Sequence, residues 1–292
     1  MGSLSGKVVL ITGGANGIGA EVARRLQRKG ARLVLTDVDE GRLKQVAASL
    51  GGDDRVLTVV ADVRELPAME AAAAAAVERF GGIDVVVANA GIATAGSVLG
   101  IDPKAFRTLI EVNVLGVFHT VRAALPAIIE RRGYVLVVSS AAAYAAAPGM
   151  VPYDTSKAAT EHFASALRLE VTHHGVEVGS AHMLWIDTPL VREGKAESPA
   201  FAEMLRRLPG PLGKTTSLEA CGKAFVKGIE SRKRRVNCPA WVGALRWLKP
   251  VLSTPLGERT TLKSVPELLP RMDAEVVALG RSMSARTQEL EK

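Results

Sequence analysis

Tyr153 and Lys157 stand four residues apart, a spacing that puts a phenol and an ammonium on one face of a helix. A tyrosine ionises near pH 10 unaided and is a poor base at neutral pH, so a neighbouring cation that favours the phenolate gives it a use in proton transfer. Ser140, just after an apolar run, carries a hydroxyl able to donate to an oxygen on which negative charge develops. Near the start, Thr12-Gly13-Gly14-Ala15-Asn16-Gly17-Ile18-Gly19 sets glycines between a strand-like and a helix-like stretch. There, backbone N–H groups approach a pyrophosphate and a helix N-terminus adds partial positive charge. Singly, the Tyr/Lys pair is an ordinary surface contact and the turn an ordinary packing turn. In this order they point to hydride transfer between a nicotinamide and a carbon bearing oxygen, which needs a bound dinucleotide beside a proton-transfer group.

The elements that must position these groups are legible as short β-branched runs alternating with helical stretches: Val8 to Ile11, Leu33 to Thr36, Val56 to Val60, Val85 to Ala88, Val135 to Val138 and Val176 to Ala181. Near-continuous apolar strands are buried on both faces, which predicts an α/β fold, a doubly wound parallel sheet with helices on either side. Glu21 to Lys29 spaces Val22, Ala23 and Leu26 on one helical side, and the alanine run 71–76 predicts a helix ahead of Phe80-Gly81-Gly82. Asp37 follows the second strand, where a carboxylate accepts from ribose hydroxyls and repels a 2′-phosphate; with Asn16 and Val38 supplying no nearby cation, NAD is preferred to NADP.

We read one domain: residues 1–190 as the dinucleotide-binding and catalytic core, and residues 191–292 as a substrate-loop region, last strand and C-terminal helical extension. Beyond Pro189, short helices and Pro breaks take over. Trp241, Leu245, Leu248 and Leu252 fall at helical spacing, as do Met272, Val276, Leu279 and Met283. Both stripes are expected to pack on the body or a partner subunit in preference to a membrane surface. The formal charge of +7 is unevenly placed: residues 1–189 hold 18 Lys/Arg and 19 Asp/Glu, residues 190–292 hold 19 and 11. A neutral cofactor-binding body and a basic end without interleaved aromatics argue against nucleic acid, and leave an anionic substrate tail, an acidic carrier or a membrane surface open.

No secretory signal is read at the start, the myristoylation pattern at Gly2 fails at Gly6, and no apolar run approaches a membrane span. Cys221 and Cys238 have no metal-ligand spacing and suit a reducing cytoplasm, so a cytoplasmic location is expected. The five histidines are scattered and predict no metal site, and no Gly-x-Ser-x-Gly elbow surrounds Ser140.

The pattern Thr-Gly-x-x-x-Gly-Ile-Gly, followed by Asn89-Ala90-Gly91, Asn113, Ser140 and Tyr153-x-x-x-Lys157, resembles the short-chain dehydrogenase/reductase family over residues 5–190. The resemblance implies a Rossmann sheet of seven strands, NAD(P) binding, and an Asn113, Ser140, Tyr153, Lys157 catalytic set in a homodimer or homotetramer. Ser140 is chosen over Ser139 because its distance from Tyr153 matches the family, and Ser139 is expected to point into the backbone turn. Asn113, costly in its apolar helix unless hydrogen-bonded, is expected to hold a water linking Lys157 to solvent.

Lys157 is also expected to bond the nicotinamide ribose. Gly13, Asn16, Gly17, Ile18, Gly19 and Asp37 fall at the family's cofactor positions. Asp62-Val63 falls at its adenine contact, Asn89 at its sheet-stabilising asparagine (within Asn89, Ala90 and Gly91), and Ile186 and Thr188 in its carboxamide-holding loop. The chain departs from the family where Met183-Leu184 replaces Pro-Gly and where Arg232-Lys233-Arg234-Arg235 precedes Val236.

Alanines 141–143 and 145–147 leave room near the reacting carbon, and Phe201, Met204, Leu205 and Leu208 are candidates for an apolar lid. A bulky, lipophilic secondary alcohol or ketone follows as the small-molecule substrate. The competing readings are reduction of a 3-oxoacyl thioester and a dinucleotide-binding regulator without turnover.

Overall fold

The computed structural model describes residues 3–51 and 54–282. Gly2, and Met283 of the second apolar stripe, lie outside the described residues. In chain order the elements are β1 (Val8–Thr12), α1 (Gly17–Arg28), β2 (Arg32–Asp37), α2 (Glu40–Ser49), β3 (Val56–Val60), α3 (Leu66–Phe80) and β4 (Val85–Ala88). Next come α4 (Pro103–Ile110), α5 (Gly116–Glu130), β5 (Tyr134–Val138), α6 (Val151–Val171), β6 (Glu177–Met183) and β7 (Trp185–Ile186). The remainder is α7 (Pro189–Glu197), α8 (Pro199–Arg207), β8 (Thr215–Thr216), α9 (Leu218–Glu230), β9 (Arg235–Cys238), α10 (Leu245–Leu252) and α11 (Pro255–Leu279).

Seven parallel strands form one sheet in the order β3-β2-β1-β4-β5-β6-β9, and β7 pairs with β8 apart from it. The central strands β1, β4 and β5 are almost wholly apolar because both faces are covered, and every residue in them is buried. Val22, Ala23 and Leu26 of α1 and Phe225 and Ile229 of α9 pack on one face with Ile11, Leu35 and Leu136. The opposite face receives α3, α5 and α6 through Ala76, Val121 and Leu167 over Val86, Val135 and Val137. Because β9 pairs with β6, the end of the chain completes the core. Cys221 and Cys238 are buried and free, side by side between α9 and β9.

Strand order reverses between β1 and β4, which opens a crevice at their carboxyl ends, where ligands bind in open α/β sheets. Asn89 braces that crevice: its Nδ2 donates to the Thr12 carbonyl (2.9 Å) and the Gly13 carbonyl (3.2 Å), and Thr12 Oγ1 accepts from the N–H groups of Asn89 and Ala90 (3.0 and 3.1 Å).

Two expectations change. The helix over 103–130 is, with a mean hydropathy of 1.5, long and apolar enough to cross a membrane, but its apolar side, Val117, Val121, Ala124 and Ile128, is built into the core. Of the first stripe, Leu245 is buried with Val242, Ala141 and Ala143, whereas Trp241 and Leu248 are exposed. The reason is that α10 meets the body along one narrow side. In the second stripe Met272 is buried and Leu279 exposed.

Candidate active site

The glycine turn closes the β1 end of a cleft of about 230 Å³, lined by Gly13, Asn16, Gly17, Ile18, Asp37, Asp62, Val63, Asn89, Ala90, Gly91, Tyr153, Lys157 and Thr188, among others. Gly13 (φ +65°) and Gly17 (φ +52°) hold left-handed backbone that a side chain would strain. Gly19 does not line the cleft: a Cβ there would lie 2.2 Å from the Gly13 carbonyl oxygen, so it lets α1 approach the turn. Asp37 Oδ2 accepts from Ala15 N–H (3.0 Å) and Oδ1 from Asp39 N–H (3.2 Å), which fixes the carboxylate at the end of β2 with lone pairs to spare. Arg64 bridges Asp62 through its backbone and guanidinium. A dinucleotide fits this frame, with a left-handed Gly17 in the turn facing Thr188, a helix N-terminus behind the turn and an anchored carboxylate beyond it.

On the other wall, α6 carries Tyr153 and Lys157 in its first two turns, with Pro152 at its second position. The Lys157 ammonium is 5.5 Å from the Tyr153 ring centroid and donates to the Val138 carbonyl at the end of β5 (3.1 Å). Burial pushes Lys157 down to about 8. Tyr153 is pushed up to about 12, chiefly by burial, against which a hydrogen bond with Ser140 pulls it down. The lowering expected of Lys157 together with a bound nicotinium belongs to the loaded site; in the protein alone the ammonium points to a carbonyl and desolvation dominates the phenol.

Both serines are buried: Ser139 Oγ donates to the Lys157 carbonyl (2.8 Å) and is spent on backbone, whereas the Ser140 side chain hydrogen-bonds the Tyr153 phenol. Ser140 Oγ also donates over a long 3.3 Å to the Met183 carbonyl, and accepts from Ala142 N–H. Met183 ends β6 and Leu184 forms a bend before β7, and Leu184 N–H bonds the Cys238 carbonyl (3.1 Å), so the segment without Pro-Gly is held by pairing.

Asn113 sits in a π-helical turn, Glu111–Leu115, between α4 and α5. Its Oδ1 accepts from Ile92 N–H (2.8 Å), and Nδ2 donates to the Ile92 carbonyl and Ser156 Oγ (both 3.0 Å). The side chain thus clamps the strand end to α6, and its Oδ1 keeps one lone pair beyond the Ile92 bond. Ile186 is buried in the core and does not line the cleft, while Thr188 does and also caps α7.

Sequence reasoning missed a buried network behind Ser140. His182 Nε2 lies 2.9 Å from both Tyr144 Oη and Ser180 Oγ, and Nδ1 lies 3.2 Å from the Ser140 carbonyl oxygen. Tyr144 stacks on the imidazole at 4.6 Å and hydrogen-bonds Arg235, which pairs with Glu161 (3.2 Å). Burial pushes His182 down to about 4, so it stays neutral. The signal was a polar pair, Ser180 and His182, on one face of an apolar strand.

The expected lid is a packed layer: Phe201, Met204 and Leu205 are buried against Met150, Leu268 and Met272. Of the alanines, 141 and 143 turn into the body, whereas 146 and 147 line a second, apolar groove of about 60 Å³ between α8 and α11 that reaches Leu208. Among the described residues, no three His, Cys, Asp or Glu side chains gather to hold a metal ion.

Residues 7–198 match the short chain dehydrogenase family. The chain belongs to the short-chain dehydrogenase/reductase family. It is 35% identical over 226 residues to the oxidoreductase UcpA of Salmonella typhimurium, covering 73% of this chain and 86% of that one. It is 34% identical over 218 residues to an uncharacterised NAD-dependent oxidoreductase of Mycobacterium tuberculosis, covering 69% and 79%. A short-chain dehydrogenase of Mycobacterium paratuberculosis, solved bound to NAD, superposes with a TM-score of 0.70 at 28% identity, covering 81% of this chain and 97% of that one. As a member of the family the chain is an oxidoreductase with a dinucleotide cofactor. The family match ends at residue 198, so α9 to α11 lie beyond it.

Proposed function

We propose that this short-chain dehydrogenase interconverts a bulky, lipophilic secondary alcohol and its ketone, using NAD(H) in preference to NADP(H). The observation that carries the reading is one cleft lined by the glycine turn, Asp37, Tyr153 and Lys157 together, with Ser140 hydrogen-bonded to the phenol. A nicotinamide held in the cleft beside Lys157 and Thr188 would supply the hydride acceptor for the carbinol carbon, and the hydride donor in reverse. Tyr153 Oη takes the hydroxyl proton as the ketone forms, and gives it back in the reverse direction. Ser140 Oγ donates to the substrate oxygen, its loose bond to Met183 leaving the proton available. Lys157, buried and held by the Val138 carbonyl, supplies the cationic edge that favours the phenolate.

The NAD preference rests on Asp37, whose anchored carboxylate repels a 2′-phosphate, and on Val38 beside it at the cleft. The NAD-dependent name of the mycobacterial relative supports it. A lipophilic substrate is supported by Met183, Ile92 and Leu190 in the cleft wall and by the apolar groove behind the substrate loop. A panel of steroid and terpenoid alcohols and 3-oxoacyl thioesters, run with each cofactor and followed by nicotinamide absorbance, tests both parts. We expect turnover of the alcohols with NAD+. Asp37→Ser with Val38→Arg should narrow or reverse the cofactor preference; equal affinity of the parent for both cofactors refutes that part, and turnover of thioesters alone refutes the substrate class.

A further inference from the structure

Residues 246–251 and 255–260 are exposed without interruption, so α10 and the first turn of α11 form a projecting corner. Its apolar residues are not tucked away: Leu256 is 78% exposed, Trp247 75%, Val251 58% and Leu248 46%. Trp247 and Val251 share a face of α10 at i,i+4. The Arg246 guanidinium lies 4.7 Å from the Trp247 ring centroid.

The charge around this corner has one sign. Residues 232–263 contain eight Lys/Arg and a single acid, Glu258. Arg232 and Arg235 are paired with Glu177 and Glu161. Among the described residues, Arg234, Arg246, Arg259 and Lys263 form no ion pair, and Arg259 and Lys263 follow Leu256 at i+3 and i+7, along the same side of α11. Arg234, Arg235 and Arg246 also lie close enough to Arg168 to hold its pKa down after burial has done so.

We propose that this corner docks on an anionic lipid surface, with Trp247, Leu248, Val251 and Leu256 entering the headgroup boundary and Arg234, Arg246, Arg259 and Lys263 meeting lipid phosphates. Short elements with a Trp/Leu face and a Lys/Arg collar lie in that boundary, and indole is favoured there. A second copy is the weaker occupant: an isologous contact sets each patch against itself, which here brings cations against cations with one acid per side. An acidic carrier would answer the charge but leaves the protruding indole and leucine without a pocket. Docked this way, the corner also brings lipid to the apolar groove, whose rim includes Thr260 and Thr261 next along α11. The docking itself does not depend on the substrate reading, and its test does not use turnover.

The full chain is mixed at low salt with vesicles of phosphatidylcholine alone and of phosphatidylcholine with phosphatidylglycerol, then floated, with tryptophan emission recorded. The protein is expected to float with the anionic vesicles only, to blue-shift on binding unless Trp247→Phe is present, and to detach as salt is added. Arg246→Gln, Arg259→Gln and Lys263→Gln together should weaken partition on the order of a hundredfold, at about fivefold per cation. Trp247→Glu with Leu256→Glu should abolish it while NADH binding and elution volume stay as in the parent. No flotation at low salt, or equal flotation of the charge variant, overturns the proposal. A drop in assembly size with Trp247→Glu/Leu256→Glu overturns it in favour of a second copy, and capture by an acidic acyl carrier protein without vesicle binding overturns it in favour of that partner.

Discussion

Replacing Asp154 by asparagine should change how stability depends on pH. Asp154 follows Tyr153 on α6; its Oδ2 accepts from Ala147 N–H (2.8 Å), while the buried Oδ1 has no partner. Burial therefore raises its carboxyl from 3.8 to about 7. Below 3.8 both the folded and unfolded states carry the proton, so nothing is lost. Between 3.8 and 7 the unfolded chain releases it and the folded one keeps it, so stability falls with rising pH by about 4 kcal/mol in all, an upper figure for a half-buried group. His182 acts with the opposite sign: its pKa is depressed from 6.5 to about 4, so stability rises by about 3 kcal/mol over nearly the same window. In the parent the two almost cancel.

Asp154→Asn removes the first contribution and exposes the second. Urea unfolding of the variant from pH 4 to 8 should show stability climbing by about 3 kcal/mol, where the parent changes by about 1 kcal/mol. Adding His182→Asn should flatten the climb. The variant's own gain at pH 8 is about 1–3 kcal/mol, since the new amide leaves a buried N–H unsatisfied. A parent curve that already rises like that of Asp154→Asn refutes the argument, because Asp154 would then ionise as an ordinary carboxyl.

Tyr153→Phe should abolish turnover and leave NADH affinity nearly unchanged, as followed by nicotinamide absorbance and fluorescence titration. Gly19→Ala should lower both the melting temperature and NADH affinity, because the new methyl collides with the Gly13 carbonyl at 2.2 Å and Asn89 Nδ2 at 2.8 Å, backbone and brace that cannot both yield. His182→Ala leaves the Tyr144 and Ser180 hydroxyls without their partner, at about 1–3 kcal/mol each, and frees the Ser140 carbonyl. In steady-state assays it should lower kcat more than it raises KM, and His182→Asn should restore part of the loss.

Much of this protein was legible in its sequence because the informative patterns are local. Strands buried on both faces must be apolar along their whole length, a turn that approaches a phosphate must use glycine, and residues four apart on a helix must share a face. Those rules give the parallel sheet, the turn at Gly13 to Gly19 and the Tyr153/Lys157 pair. Tertiary structure decided what depends on neighbours distant in sequence. The Asn113 side chain bonds Ile92 and Ser156, 21 and 43 positions away, and Tyr144 meets His182 across 38. Asp273 of α11 folds back to accept from Ser97 N–H, 176 positions away. The ionisation of Tyr153, Asp154, Lys157 and His182 belongs to the same class. A pKa is set by desolvation and by the dipoles that surround the group, and these exist only after the elements have packed.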